Sequence, residues 1–304
     1  MQNAKCTMRM GLLATAMVVF AAAPPAAAAP LNVVATTSSM GMLARVVGGD
    51  AVRVTVLAPP DRDAHYLLAK PSMLVALRRA DLLVAVGADL EVGWLPAALQ
   101  SANNPRILPG QPGYFEGAAQ VDLIEKGEAA DRARGDVHPM GNPHYYMDPP
   151  RMARVASALA GRLAAMTPAA ASGFSARAEA FGRAVAERLP EWRRQVAGAP
   201  GAIFFHKDAN YLAQLLDVKI LAYVEPVPGI PPSASHLRDL VARLKGTRGV
   251  IIHATFQPDE GPQFLAKSLG WKVARLPLEV AVDADAAAYL THIDQWVAAI
   301  ASGK

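Results

Sequence analysis

Seven histidines punctuate a chain of 304 residues that has a single cysteine, Cys6, near its start. They are His65, His138, His144, His206, His236, His253 and His292. Four of them stand at the end of an apolar run or on a long loop. His65 lies in Asp61-Arg62-Asp63-Ala64-His65-Tyr66, His206 directly follows Phe205, His253 directly follows Ile252, and His144 belongs to the stretch from Gly135 to Pro149. That stretch also carries His138, Asp136 and Asp148 among prolines and glycines, a composition that cannot propagate a helix and holds side chains on a stiff loop. Neutral imidazole suits zinc, and three imidazoles with a carboxylate or a water complete a four-coordinate site. Any one of these histidines alone could equally cap a turn or sit on the surface. Their placement at strand ends in both halves is what lets them converge on one cleft. His236 and His292 fall in helical pattern and are expected on the surface.

The elements that would position them begin after residue 29. Residues 1–29 read as a secretory signal peptide, with a basic start at Lys5 and Arg9, an apolar run from Gly11 to Ala23 and a small-residue exit closed by alanines. The apolar run is shorter than the ~20 residues of a spanning helix. Cys6 precedes it and no cysteine follows, so a lipid anchor is not expected, and a metal site must use His, Asp or Glu. The formal charge of +4 falls by two without Lys5 and Arg9, and no cluster of Lys and Arg suggests nucleic acid. A chain that is 52% hydrophobic and 18% charged is long and apolar enough for two ordinary domains.

Strand and helix then alternate. Strands are predicted over 31–37, 52–57 and 81–87, with helices over 42–47, 73–80 and 89–101. Residues 103–148 lack periodicity, as functional loops do. Helices over 151–163 and 174–196 come next, the second a candidate connector. A further series follows, with strands at 202–205, 220–224, 249–252 and 272–276 and helices at 208–216, 233–244, 261–269 and 285–301. The layout is α/β with parallel sheets. It divides into an N-terminal lobe over 30–150, a helical region over 151–198 and a C-terminal lobe over 199–304, with a cleft where strand-end loops meet.

Several segments together carry a family resemblance. They are Asp63-Ala64-His65-Tyr66 with Lys70-Pro71-Ser72, Arg79-Ala80-Asp81-Leu82-Leu83-Val84 with Gly87 and Leu90-Glu91, and Trp94-Leu95. Further on come Gly135-Asp136-Val137-His138-Pro139 with Asn142-Pro143-His144-Tyr145 and Asp148-Pro149, then Phe205-His206-Lys207, then Glu225-Pro226-Val227-Pro228-Gly229-Ile230-Pro231-Pro232. From about Leu31 to Ile300 the chain resembles the periplasmic substrate-binding proteins of zinc and manganese ABC importers, the cluster A-I family, and most closely their zinc branch. The resemblance implies two (β/α) lobes joined by one long rigid helix, with a metal-binding cleft between them. It implies His65, His144 and His206 as metal ligands and Zn2+ as the transported ligand. It also implies an ABC permease in the inner membrane as partner, a periplasmic metallochaperone as a further candidate partner, and a monomer free in the periplasm.

Where family members place a carboxylate after the strand at 250–252, this chain reads His253-Ala254-Thr255. The resemblance also allows that carboxylate near the end of the last strand, where Glu279 and Asp283 stand; Glu279 is the favoured fourth ligand, with His253, Asp283 and water as alternatives, and His138 is expected to shape or cover the site. The long acidic, His-rich loop of many zinc members is missing. Three other functions compete with zinc capture. A Mn2+ or Fe2+ receptor of the same family would favour a second carboxylate. A secreted zinc hydrolase would need a base such as Asp63, Asp208 or Glu279 beside an activated water. No HExxH, Gly-x-Ser-x-Gly or Walker pattern occurs, so a binding protein rather than an enzyme is expected. An adhesive role is the third competitor.

Overall fold

A computed structural model describes residue 2, residues 29–127 and residues 138–304. The expected leader, apart from Gln2 and Ala29, and the Gly135-Asp136-Val137 part of the histidine loop lie outside those residues. The first sheet forms from short, mostly apolar runs. β1 (Leu31–Ala35) lies between β2 (Val52–Val56) and β3 (Leu82–Ala85), and β4 (Tyr114–Glu116) pairs on the far side of β3. All pairings are parallel, with Val33 opposite both Val54 and Leu82 and Leu83 opposite Tyr114. The crossovers carry α1 (Ser38–Gly48), α2 (Pro71–Arg79) and α3 (Leu95–Ala102). Both faces of β3 are covered, which is why it reads as a continuous apolar run rather than an alternating one.

The second sheet repeats the arrangement without repeating the sequence. β5 (Ala202–Phe204) lies between β6 (Ile220–Tyr223) and β7 (Val250–Ala254), and β8 (Lys272–Leu276) pairs with β7, again all parallel. Its helices are α6 (Asn210–Leu215), α7 (Ala234–Leu244), α8 (Glu260–Leu269) and α9 (Ala286–Ala301). Between the sheets run α4 (Pro149–Met166) and the 26-residue α5 (Ala171–Val196). The expected two α/β lobes joined by a long helix are what the chain forms. In each sheet the order reverses beside the first strand, and ligands of open α/β sheets sit outside the carboxyl ends of strands at such a point.

The largest apolar cluster runs through both halves. It joins Val33 and Leu43 of the first lobe, Leu159, Phe181 and Trp192 of the central helices, and Phe204, Ile252 and Trp296 of the second. Tyr289 Oη donates to the Tyr146 carbonyl at 2.9 Å and Trp192 Nε1 to Asp294 Oδ1 at 2.6 Å, tying α9 to its neighbours.

Four details depart from expectation. The helix expected from residue 89 starts at Leu95, because Gly87, Ala88 and Asp89 all take positive φ, a conformation that cannot open a right-handed helix. β4 lies within the stretch expected to lack elements. His292, expected on the surface, is only 7% exposed, inside α9, and His236 is half-buried with its Nε2 3.2 Å from the Tyr223 carbonyl.

Candidate metal centre

The carboxyl-end loops of the two sheets face one another across a cavity of about 390 Å3. Its wall takes Asp61 to Tyr66 after β2, Leu90 after β3 and His144 with Tyr146 from the long loop after β4. From the other lobe come His206 and Asp208 after β5, Glu225 after β6, Phe256 to Pro258 after β7, and Leu278 with Glu279 after β8. One ring nitrogen from each of His65, His144 and His206 lies within 4.8 Å of the other two. Nitrogens ~2.0–2.1 Å from a tetrahedral zinc stand about 3.4 Å apart, so small side-chain rotations would close the three on one ion.

Each histidine is held from behind. Asp63 Oδ1 takes both the His65 backbone N–H at 2.9 Å and the His65 Nδ1 at 2.7 Å, a tight local turn. Trp94 Nε1 donates to the Ala64 carbonyl at 2.8 Å and pins the same loop to the start of α3. His206 Nδ1 lies 2.9 Å from Glu225 Oε2, which also accepts from the Gly229 N–H. His144 Nδ1 lies 2.8 Å from Tyr146 Oη. Asn142 Oδ1 accepts from the His144 backbone at 2.9 Å while its Nδ2 donates to the Lys207 carbonyl at 2.8 Å, joining the His144 loop to the His206 loop. With every Nδ1 turned outward, the Nε2 atoms are the ones left for the cavity, and His144 Nε2 is buried without a partner.

The electrostatics follow from this packing. Burial, reinforced by the neighbouring histidines, holds His144 well below the usual imidazole range. Burial alone would lower His206 too, but the Glu225 hydrogen bond with Asp208 and Asp63 nearby carries it above that range. Burial would raise Asp63, yet its hydrogen bonds from His65 hold it down. Burial pushes Asp208 up to about 6, against the pull of His206 and of Gln257 Nε2, which donates to Asp208 Oδ2 at 2.9 Å.

The fourth-ligand candidates are placed differently. Glu279 is in the cavity wall, 5% exposed. Its Oε2 accepts from the Ser39 backbone at 2.7 Å and lies 3.2 Å from Ser38 Oγ, at the N-terminus of α1, while Oε1 is buried and unpartnered. It is not in the group of three. His253 shares a strand face with Ile251, which packs in the apolar cluster of α7 and α8; its Nε2 lies 3.1 Å from Asp259 Oδ1. Asp283 is exposed. His138 stands at the rim, its Nε2 3.1 Å from His65 Nε2 and its Nδ1 3.1 Å from the Ala88 carbonyl. Sequence reasoning did not assign the backing groups. Asp63 and Tyr146 each sit two residues from their histidine, a local signal, whereas Glu225 is 19 residues from His206 and only the strand-end pattern could have flagged it.

A family model described as zinc-uptake complex component A, periplasmic, matches residues 33–303. The high-affinity zinc uptake system protein ZnuA of Yersinia pestis is 25% identical over 262 residues, which is 81% of this chain and 81% of that protein. A crystal structure of ZnuA superposes with a TM-score of 0.74 at 22% identity, covering 90% of this chain and 99% of the other. The substrate-binding protein FpvC of Pseudomonas aeruginosa, in complex with Mn2+, gives 0.73 at 19% identity over 90% and 97%. At those identities the two structures speak to the fold.

Proposed function

Because the chain belongs to the periplasmic zinc-uptake complex component A family, whose members are metal-binding receptors and not enzymes, we propose that it captures Zn2+ in the periplasm and delivers it to the permease of an ABC importer. The observation that carries this reading is the convergence of His65, His144 and His206, each with its Nδ1 bonded away from the cavity. Three neutral imidazoles suit zinc better than the harder, oxygen-seeking divalent ions. Glu279 is the proposed fourth donor, supported by its buried, unpartnered Oε1 in the cavity wall. His138 is the proposed cover, supported by its approach to His65 from the rim. Among the described residues no helix is long and apolar enough to cross a membrane.

Calorimetric titration of metal-free protein tests the reading. Zinc should bind the wild type far more tightly than it binds the triple variant His65→Ala, His144→Ala, His206→Ala, and equal affinities would sink the proposal. A second reading, a receptor for Mn2+, is favoured by the carboxylates of Asp208 and Glu279 in the cavity wall. Competition between the two ions decides it, and the proposed site should retain zinc in an excess of manganese.

A further inference from the structure

A second cavity opens on the first lobe. Its volume is about 570 Å3, against about 390 Å3 for the metal cavity, and the two share no lining residue. It forms because β4 is a three-residue strand at the edge of its sheet. Leu95 and Leu99 of α3 pack with Leu77 of α2 and Leu83 of β3, away from that edge. Tyr114 and Glu116 alternate with Phe115, which faces the large core cluster, so both stand on the α3 side of the sheet. The space between α3 and the β4 edge is left open.

The wall of this cavity is divided. Val92, Leu95, Leu99, Leu108 and Pro109 make an apolar side, while Asp89, Glu91 and Glu116 gather where β3 and β4 end, and no Lys, Arg or His lines it. Glu91 is already used within the fold. Its Oε1 accepts from Thr36 Oγ1 at 2.6 Å and from the Val86 N–H at 2.7 Å, and its Oε2 accepts from the Gly87 N–H at 3.0 Å. Glu116 Oε1 accepts from the Ala88 N–H at 3.2 Å. A Cβ on Gly87, where φ is positive, would lie 2.2 Å from Glu116 Cγ, so the glycine is what lets this side chain lie over the turn. Among the described residues nothing bonds Glu116 Oε2, and the half-buried Asp89 side chain has no partner. Burial, with Glu116 and Glu91 nearby, pushes the Tyr114 hydroxyl above its ordinary range, as a negative potential in the cavity does.

Ligand cavities of this size combine an apolar wall with a few polar groups that fix orientation. An anion would be repelled by the acidic end, a neutral apolar molecule would leave that end unmatched, and a hydrated metal ion would leave the apolar wall unused. We propose that this cavity is a second ligand site, for a small organic cation in which a primary ammonium is joined to an apolar body. The ammonium sits on Asp89 and Glu116, within reach of the Tyr114 ring, whose face attracts cations. The apolar body lies against Leu95, Leu99 and Leu108.

Binding of 2-phenylethylammonium to the metal-free protein, followed by methyl 1H–13C spectra and calorimetry, tests the assignment. 2-Phenylethanol and 3-phenylpropanoate share its ring and carry a neutral and an anionic head. The amine should shift the methyls of Val92, Leu95, Leu99 and Leu108. It should bind at least about tenfold more tightly than the alcohol, as hydrogen bonds to charged groups give, and 3-phenylpropanoate should not bind. Asp89→Asn combined with Glu116→Gln keeps both shapes and an acceptor for the Ala88 N–H, and should bring the amine down to the affinity of the alcohol. Val92→Lys, at a position 38% exposed, places an ammonium of its own in the cavity and should abolish amine binding. The triple variant His65→Ala, His144→Ala, His206→Ala should bind the amine as wild type does, which separates this site from the metal reading. Equal affinity for the three compounds, the absence of amine binding, or shifts confined to methyls outside this cavity overturns the proposal. So does an amine affinity within about twofold of wild type in the double carboxylate variant. A dimer in solution that Val92→Lys breaks would mean that a second copy of the chain fills the groove, and overturns it as well. Selectivity among the three compounds in wild type decides the question even where a variant fails to fold.

Discussion

His292 has no place in the metal site, yet it is the residue whose burial has the clearest consequence for stability. It lies inside α9 with Nε2 unpartnered, and burial, only partly offset by a hydrogen bond to the Leu278 backbone, lowers its pKa to about 4. An unfolded histidine titrates near ~6.5. Between those values the unfolded chain binds the proton and the folded one does not, so this contribution is fully present above about 6.5 and is lost as pH falls towards about 4. Its size is roughly 3 kcal/mol. Urea unfolding of metal-free protein at neutral pH and near pH 4 checks it. The wild type should lose about that much more stability between the two than His292→Leu does, and parallel losses would contradict the assignment. Helical spacing alone gave no warning of this burial, because the apolar positions of α9 take up much of its circumference and His292 falls among them. The three histidines at strand and loop ends were readable for the opposite reason: chemistry concentrates where a β-branched run stops.

Among the elements, α4 matters most to the site because its N-terminus anchors the His144 turn. Asp148, 1% exposed, accepts from the Arg151 backbone at 2.8 Å as the N-cap, and its own N–H donates to the Tyr145 carbonyl at 2.8 Å. Pro149 and Pro150 occupy the first helical positions, where a missing N–H costs nothing. Asp148→Ala should destabilise the protein by about 1–2 kcal/mol, measured by urea unfolding, and should weaken zinc binding by loosening the turn that carries His144. Unchanged stability would mean the cap is not what holds this turn. Asp-Pro-Pro after a loop signalled that helix plainly in the sequence. β4 left no such mark, since three residues at a sheet edge are too few for periodicity to register, and only pairing with β3 defines them. The late start of α3 was hidden too, because Leu90, Trp94 and Leu95 supply helical apolar spacing while the backbone at Ala88 and Asp89 forbids the first turn.

On the scale of the whole molecule, the two lobes share both their strand order and their core. Alternation in the sequence revealed the lobes, but not that their interiors join, since contacts between distant apolar residues have no local signature. With α4 and α5 packed into one apolar cluster that reaches both sheets, neither lobe can lose its core without exposing part of the other's, and domain closure by a hinge is disfavoured relative to loop movement at the cavity. The consequence is cooperativity. Trp94 reports the first lobe from a buried position beside Ala64, and Trp271 reports the second through its bond to the Thr247 carbonyl. Variants that each retain one of these tryptophans, with the other three replaced by phenylalanine, should unfold in urea with coincident transitions, as a single cooperative unit does. With zinc held across the cleft as proposed, and only by the folded state, saturating zinc at a hundred times its Kd should move both transitions together by about 2.7 kcal/mol. Separate midpoints for the two probes, or a zinc shift confined to one of them, would show that the lobes are independent folding units despite their continuous core.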